Sequence, residues 1–329
     1  MENLRPGVYT SYTLLRSDAA ASSAVIGIAA NAGGTLTKTT VESLEEARTA
    51  CSGELLELCE AVFAATSARV VLADLAQGDA AALQALVDGG ASLWVLESAD
   101  AERLALLDDT LSQAAKDGKR AVAVVGCTSS QEALEASSIN SMRIALTCPA
   151  VHYQGGERNV APALVAAFLA LSEGEQQSLN GALSPEGFST EALTEEVLQE
   201  LLWNGVCAIE PRGGVVSLIR GVSSRTIDEE GIRDGLFRNL ASVLTFDEVL
   251  DTLETTLKER VLAGVLSTDS VTALLVNELA KLEERGKLSG YETPIVTRLP
   301  SDSSVCVVTV SFTLAQCVNQ VWLQAVVQG

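Results

Sequence analysis

Asn204-Gly205-Val206, Arg212-Gly213-Gly214 and Arg220-Gly221-Val222-Ser223-Ser224 punctuate the last third of the chain, and their order decides the fold. The first follows an apolar-periodic run, Thr190 to Trp203, with Ala192, Val197, Leu198, Leu201 and Leu202 on one face. That spacing predicts a helix, and Asn-Gly directly after it supplies the stop. The second sits between Val206 to Glu210 and Val215 to Arg220, so two strands joined by a tight connection are predicted there. Past the third, two amphipathic helices are predicted, Phe246 to Leu262 and Ser270 to Arg285, the latter closed by Gly286. Two strands of high β propensity, Val305 to Leu314 and Val318 to Val327, then run almost to Gly329.

Upstream, the period of the apolar pattern switches back and forth. Ala24 to Ala30 reads as a small-residue strand stopped by Asn31-Ala32-Gly33-Gly34. Ser43 with Glu46 three later has the form of a capping box, starting a helix that runs toward Val62 with a break near Ser52-Gly53. Residues 68–148 then alternate: strands at Arg69 to Leu75, Ser92 to Leu96, Ala121 to Val125 and Arg143 to Thr147, with helices at Asp79 to Asp88, Asp100 to Lys116 and Ser130 to Ala136. Short links between them argue for an open, mainly parallel α/β layer. Such a layer offers a crevice at its strand carboxyl ends, here 76–79, 97–100 and 126–130. The Asp and Ser residues there read as helix caps, and neither GxxxxGK[ST] nor GxGxxG occurs. Pro162 to Leu171 is a further helix, and 180–189 reads as a loop.

The 329 residues carry 43 Asp and Glu against 22 Lys and Arg, a net charge of −21 spread along the chain. That balance disfavours direct nucleic-acid binding, which rests on basic patches. No apolar run approaches the length of a membrane helix, and Met1 to Pro6 has no signal-peptide pattern. Seven cysteines without a CxxC pair read as buried, reduced thiols of a cytosolic protein. Cys51 and Cys59 are spaced to share a helical face, but without clustered histidines they make a poor metal site. His152, the single histidine, falls in a turn and has no acidic neighbour in sequence. No catalytic residue, cofactor or metal is therefore expected. Trp203 and Trp322 are expected to be core anchors.

The ordered set Asn204-Gly205-Val206, Gly213-Gly214-Val215-Val216, Arg220 to Thr226, Asp228, Phe246 to Leu262, Leu279 to Gly290 and Val305 to Val326 resembles the C-terminal part of contractile tail sheath proteins. Arg5-Pro6-Gly7-Val8-Tyr9 is similar to that family's Pro-Gly-Val start of an N-terminal strand. The Pro-Val-Asp/Glu that often precedes the family's last strand is missing from Phe312 to Cys317. The resemblance implies a mixed α/β (α+β) sheath core with extended N- and C-terminal β arms that pair with neighbouring subunits. The arm residues would be Val8, Tyr9, Thr10 and Tyr12 at one end and Val321, Trp322, Leu323, Ala325 and Val326 at the other. Arg220 and Arg225, pairing with carboxylates such as Asp228 or Glu229, are candidate inter-subunit contacts. The implied organisation is an arm over 1–20, an α/β layer over 21–150, a connection over 151–190, a sheath C-terminal domain over 191–314 and an arm over 315–329.

Implied with it is a non-enzymatic structural subunit: hexameric rings of this chain stacked as a helical tube around an inner tail tube. Baseplate and tail terminator proteins would be the other partners, with neither nucleic acid bound directly nor membrane inserted. Assembly would take place in the bacterial cytoplasm, into a virion tail or a phage-tail-like particle. Two other readings stay open on the residues alone. One is an α/β enzyme or small-ligand binder using the 68–148 layer, the other a non-contractile tube or shell protein. The termini could equally complete the protomer's own sheet.

Overall fold

A computed structural model describes residues 24–172, 179–183, 187–261 and 267–316 of the 329-residue chain. In chain order its strands and helices begin β1 (Val25–Ala30), β2 (Thr40–Val41), α1 (Leu44–Ala50), α2 (Gly53–Ala65), β3 (Arg69–Asp74), α3 (Asp79–Asp88), β4 (Leu93–Leu96) and α4 (Ala101–Lys116). They continue with β5 (Val122–Gly126), α5 (Ser130–Ala136), β6 (Ile144–Cys148), β7 (Val151–Tyr153), α6 (Ala161–Leu171), β8 (Gly181–Ala182), β9 (Phe188–Thr190) and α7 (Glu195–Trp203). The remainder is β10 (Val206–Arg212), β11 (Val215–Leu218), α8 (Leu240–Thr256), α9 (Thr268–Glu284), β12 (Leu288–Tyr291), β13 (Ile295–Leu299), β14 (Asp302–Thr309) and β15 (Phe312–Leu314).

Nine strands form one sheet in the order β2-β3-β1-β4-β5-β6-β10-β11-β8, and the six from β3 to β10 run parallel. Alternation along each strand feeds two apolar layers. Ile26, Ile28, Leu93, Val95, Val122 and Val124 face α1, α2 and α6. Ala29, Trp94, Leu96, Ala123 and Val125 face α3, α4, α5 and α7. Helix α6 is apolar all round and buried from Ala161 to Ala170, as a helix covered on every side must be. The sheet also crosses the boundary expected near 190, because β10 pairs with β6 and carries β11 along as an antiparallel hairpin.

Three of the predicted caps hold, whereas Asp79 lies within α3 behind Gly78 and pairs with Arg103 at 2.8 Å. Ser43, Asp100 and Ser129 accept from the backbone N–H three residues on. Three expectations do not. The helix over 190–203 starts only at Glu195, because Phe188–Thr190 pairs antiparallel with β7 instead. The helix predicted from Phe246 starts at Leu240, and its last turn widens to i→i+5 bonding over Leu257–Val261. The single strand predicted from Val305 breaks at Val310-Ser311 into β14 and β15, which pair with β13 and β12, two strands not foreseen.

Gly205, at φ +78°, closes α7, and a Cβ there would lie 2.6 Å from the Ser223 carbonyl oxygen and 3.1 Å from Ser224 Cα. Backbone cannot yield as a side-chain tip can. Gly205→Ala should therefore cost about 1–3 kcal/mol, read as a fall in the urea unfolding midpoint.

Candidate self-assembly surface

The C-terminal part is built on its own small core, in which Val249 and Leu253 of α8 meet Val271, Leu275, Leu279 and Leu282 of α9, with Leu288 and Leu314 beneath. Phe246 joins it to the rest, 5.3 Å from the Phe237 ring and 6.2 Å from the Phe312 ring. On this platform lie two separate two-stranded ladders, β12–β15 and β13–β14. Among the described residues no third strand joins either ladder. A two-stranded ladder leaves both outer edges with unmatched backbone groups, a template for another strand. The β13–β14 ladder also shows solvent Ile295, Leu299 and Val307, three of the large apolar side chains exposed among the described residues. β15, ending at Leu314, is the last strand of the described residues and belongs to one of these open-edged ladders. The predicted arm residues Val8, Tyr9, Thr10, Tyr12, Val321, Trp322, Leu323, Ala325 and Val326 lie outside the described residues.

Charge fastens this platform to the sheet. Arg143, 5% exposed at the start of β6, donates to both Asp247 carboxylate oxygens of α8 at 2.8 and 2.9 Å. Arg120, at the start of β5, donates to Asp251 and Glu254 one and two turns along the same helix. Lys287 reaches Glu248 at 2.6 Å. Burial pushes the Asp247 carboxyl above its ordinary range, an effect its two arginines offset only in part. The Arg120 hydrogen bond instead holds the Glu254 carboxyl below its usual range. A carboxyl depressed in the fold stabilises it above the unfolded pKa, and that contribution vanishes as pH falls through the folded value. Urea midpoints of the wild type and Glu254→Gln should accordingly differ at neutral pH, with the wild type higher, and converge in acid.

The loop from Arg220 to Asn239 departs from its predicted pairing. Arg220 donates to Asn239 Oδ1 at 2.6 Å, and Arg225 donates to Asp234 at 2.6 Å. Neither meets Asp228 or Glu229: the Asp228 carboxylate turns inward and accepts from the backbone N–H groups of Glu230 and Ile232. An Asp that can close its own turn needs no distant cation. Trp203 is not a core anchor. It is 62% exposed, because at 100° per residue it lies on the face of α7 opposite Leu201. The Arg233 guanidinium stacks 3.3 Å above its ring centroid.

The crevice at the strand carboxyl ends, where order reverses between β1 and β4, is occupied by the chain's own groups. Arg158 pairs with Glu54 at 2.8 Å and Glu97 at 3.4 Å, and the Asn159 N–H donates to Glu97. A Cβ on Gly126 would sit 2.3 Å from the Glu97 carbonyl and 2.6 Å from Asn159 Nδ2. His152 Nδ1 faces the Arg158 carbonyl at 3.0 Å. Cys51 caps the C-terminus of α1 and Cys59 lies within α2, so they do not share one helix face, and the Cys51 thiol donates to the Ala47 carbonyl at 3.4 Å. Burial pushes the Cys148 and Cys207 thiols up to about 12. Among the described residues no group of three or more His, Cys, Asp or Glu is placed to hold a metal, and no helix is long and apolar enough to cross a membrane.

No protein-family model matches the chain, and no curated protein does. Solved structures do. A chain of the cryo-EM structure of the anti-feeding prophage baseplate, 6-fold symmetrised, superposes with TM-score 0.72 at 15% identity, covering 99% of each chain. The sheath complex of an extracellular contractile injection system in the contracted state matches at TM-score 0.69 and 17% identity, covering 99% of this chain and 98% of that one. The sheath tail protein from Desulfitobacterium hafniense matches at TM-score 0.65 and 9% identity, covering 94% and 100%. From its parallel sheet to its C-terminal ladders, the chain has the fold of contractile sheath proteins.

Proposed function

We propose that this chain is a self-assembling sheath subunit. Its copies form hexameric rings stacked as a helical tube around an inner tail tube, linked by exchanged N- and C-terminal strands. The observation that carries this reading is the β12–β15 ladder, open-edged among the described residues, with Val318 to Val327, a sequence of high β propensity, following β15 along the chain. The exposed hairpin β13–β14 supplies a second template. Likeness in fold to sheath chains over nearly the whole length supports the same reading.

Work would come from two packings of one lattice: an extended tube that collapses to a shorter, wider one and drives the inner tube through a target envelope. Interfaces that switch between discrete arrangements suit this, since packed surfaces are bistable rather than continuously deformable. A difference of about 2–3 kcal/mol per subunit, summed over many copies, makes the collapse one-way without nucleotide hydrolysis. Inner tube, baseplate and terminator proteins are the partners this role requires, with assembly in the bacterial cytoplasm.

Negative-stain microscopy of the purified chain tests it. Long striated tubes are the expected result. Smooth filaments of fixed diameter would point to a non-contractile tube, and discrete monomers at every concentration would overturn self-assembly.

A further inference from the structure

Apart from Leu171, the exposed large apolar side chains gather in two places among the described residues. One is the β13–β14 hairpin; the other is Trp203, Ile227 and Ile232, at 62%, 45% and 64% exposure. These three come from α7 and from the loop before α8, yet they form one surface. Ile227 pairs across an isolated bridge with Arg233, Arg233 stacks on the Trp203 ring, and its guanidinium donates to the Trp203 carbonyl. Glycine at 205 lets this loop approach the end of α7 closely, since a Cβ there would lie 3.0 Å from the Thr226 methyl carbon. A large aromatic under an arginine, with two isoleucines beside it, is the composition that dominates binding energy at protein interfaces.

The charge beneath this patch is unusual for so acidic a chain. Arg225 has its carboxylate in Asp234. Among the described residues the acceptors of Arg220, Arg233 and Arg238 are all neutral: Asn239 Oδ1, the Trp203 carbonyl and the Leu202 carbonyl. The Nε atoms of Arg220 and Arg238 are buried and have no hydrogen-bond partner among the described residues. Burial first, and then the nearby Arg233 and Arg220 charges, hold the Arg238 guanidinium below its ordinary basicity. Clustered guanidinium groups of this kind are geometrically suited to take carboxylates in paired N–H···O contacts.

We propose that Trp203, Ile227, Ile232 and the arginines 220, 233 and 238 form a docking surface for a carboxylate-bearing, partly apolar segment of a second copy of this chain. The occupant follows from complementarity. With 43 acidic against 22 basic residues, a neighbouring copy presents mainly carboxylates, and three guanidinium groups of this patch have none among the described residues. Two different surfaces meeting head to tail generate rings or helical stacks, whereas a self-matching patch closes a dimer. The inference rests on the self-assembly reading, but it concerns a contact separate from the terminal arms.

The test compares wild type, Trp203→Ala and Arg233→Glu by sedimentation across a concentration series, with melting followed by circular dichroism. Both side chains are exposed, so the melting temperature should stay within that of the wild type. The critical concentration for polymer should rise at least about tenfold in each variant, the range expected of interface anchors. Wild-type polymer should also weaken with salt more steeply than the residual polymer of Arg233→Glu. As a second readout, acrylamide quenching of the Trp203 emission, taken as wild type minus Trp203→Phe, should fall on assembly. Variants that polymerise at the wild-type critical concentration, with Trp203 as quenchable in polymer as in monomer, would overturn the proposal while leaving the sheath reading intact. A wild type that never polymerises would overturn both.

Discussion

Removing Val318 to Gly329 is expected to abolish ordered tubes and leave a folded protein that no longer polymerises. The segment Val321-Trp322-Leu323-Gln324-Ala325-Val326-Val327 is rich in residues that suit a pleated strand and carries no charge. Such a strand left unpaired is an aggregation hazard, so it needs an edge, and the ladders β12–β15 and β13–β14 present edges without a third strand among the described residues. Each backbone hydrogen bond formed between copies contributes about 1 kcal/mol net, so roughly five to eight of them amount to a strong link per arm. Losing several kcal/mol per contact moves an association constant by several powers of ten, because about 1.4 kcal/mol is tenfold. Backbone pairing also tolerates rigid-body movement of the domains it tethers. Arms can hold neighbours together while larger surfaces slide past one another. Microscopy and sedimentation of the truncated chain, with circular dichroism to verify the fold, make the comparison; tubes at wild-type yield would refute the arm model.

The second large effect concerns the joint between the sheet and the C-terminal platform. Asp247→Ala strands Arg143 in a site where it is 5% exposed, and the charge loses both carboxylate bonds at once. Breaking a buried pair from one side costs about 3–5 kcal/mol. The neighbouring Arg120 contacts to Asp251 and Glu254 remain and moderate the loss rather than replace it. Replacing both partners by apolar groups, Arg143→Met with Asp247→Leu, should recover most of the stability, because no charge is then left buried alone. Urea unfolding of the two single variants and the double variant forms the cycle that checks this. Equal losses in all three would contradict the assigned pairing.

The parts of the fold that were legible in the sequence are those set by local signals. Ser130 to Ala136, bounded by a Ser cap and a short apolar period, is a helix over that same range. The hairpin around Gly213-Gly214 is likewise where the glycine pair put it. Helix α8 starts at Leu240 rather than Phe246: Ser242 and Thr245, ahead of that point, are polar in type yet buried, as is Asp247. What satisfies Asp247 is Arg143, 104 residues away, a pairing no local pattern announces. β12 and β13 escaped notice because Gly290 and Pro294 interrupt a stretch too short for alternation to register. Residue type alone suggests a core position for Trp203, whereas the helical period places it opposite the buried Leu201. The acceptors of the loop arginines depend on how 220–239 folds back on itself, which spacing does not encode.

A cryo-EM reconstruction of tubes grown from the purified chain tests strand exchange most directly. The account predicts that residues 8–15 and 318–327 of one copy lie alongside ladder strands of adjoining copies, extending β12–β15 or β13–β14 across the subunit boundary. Density showing both segments paired only with strands of their own copy would contradict it.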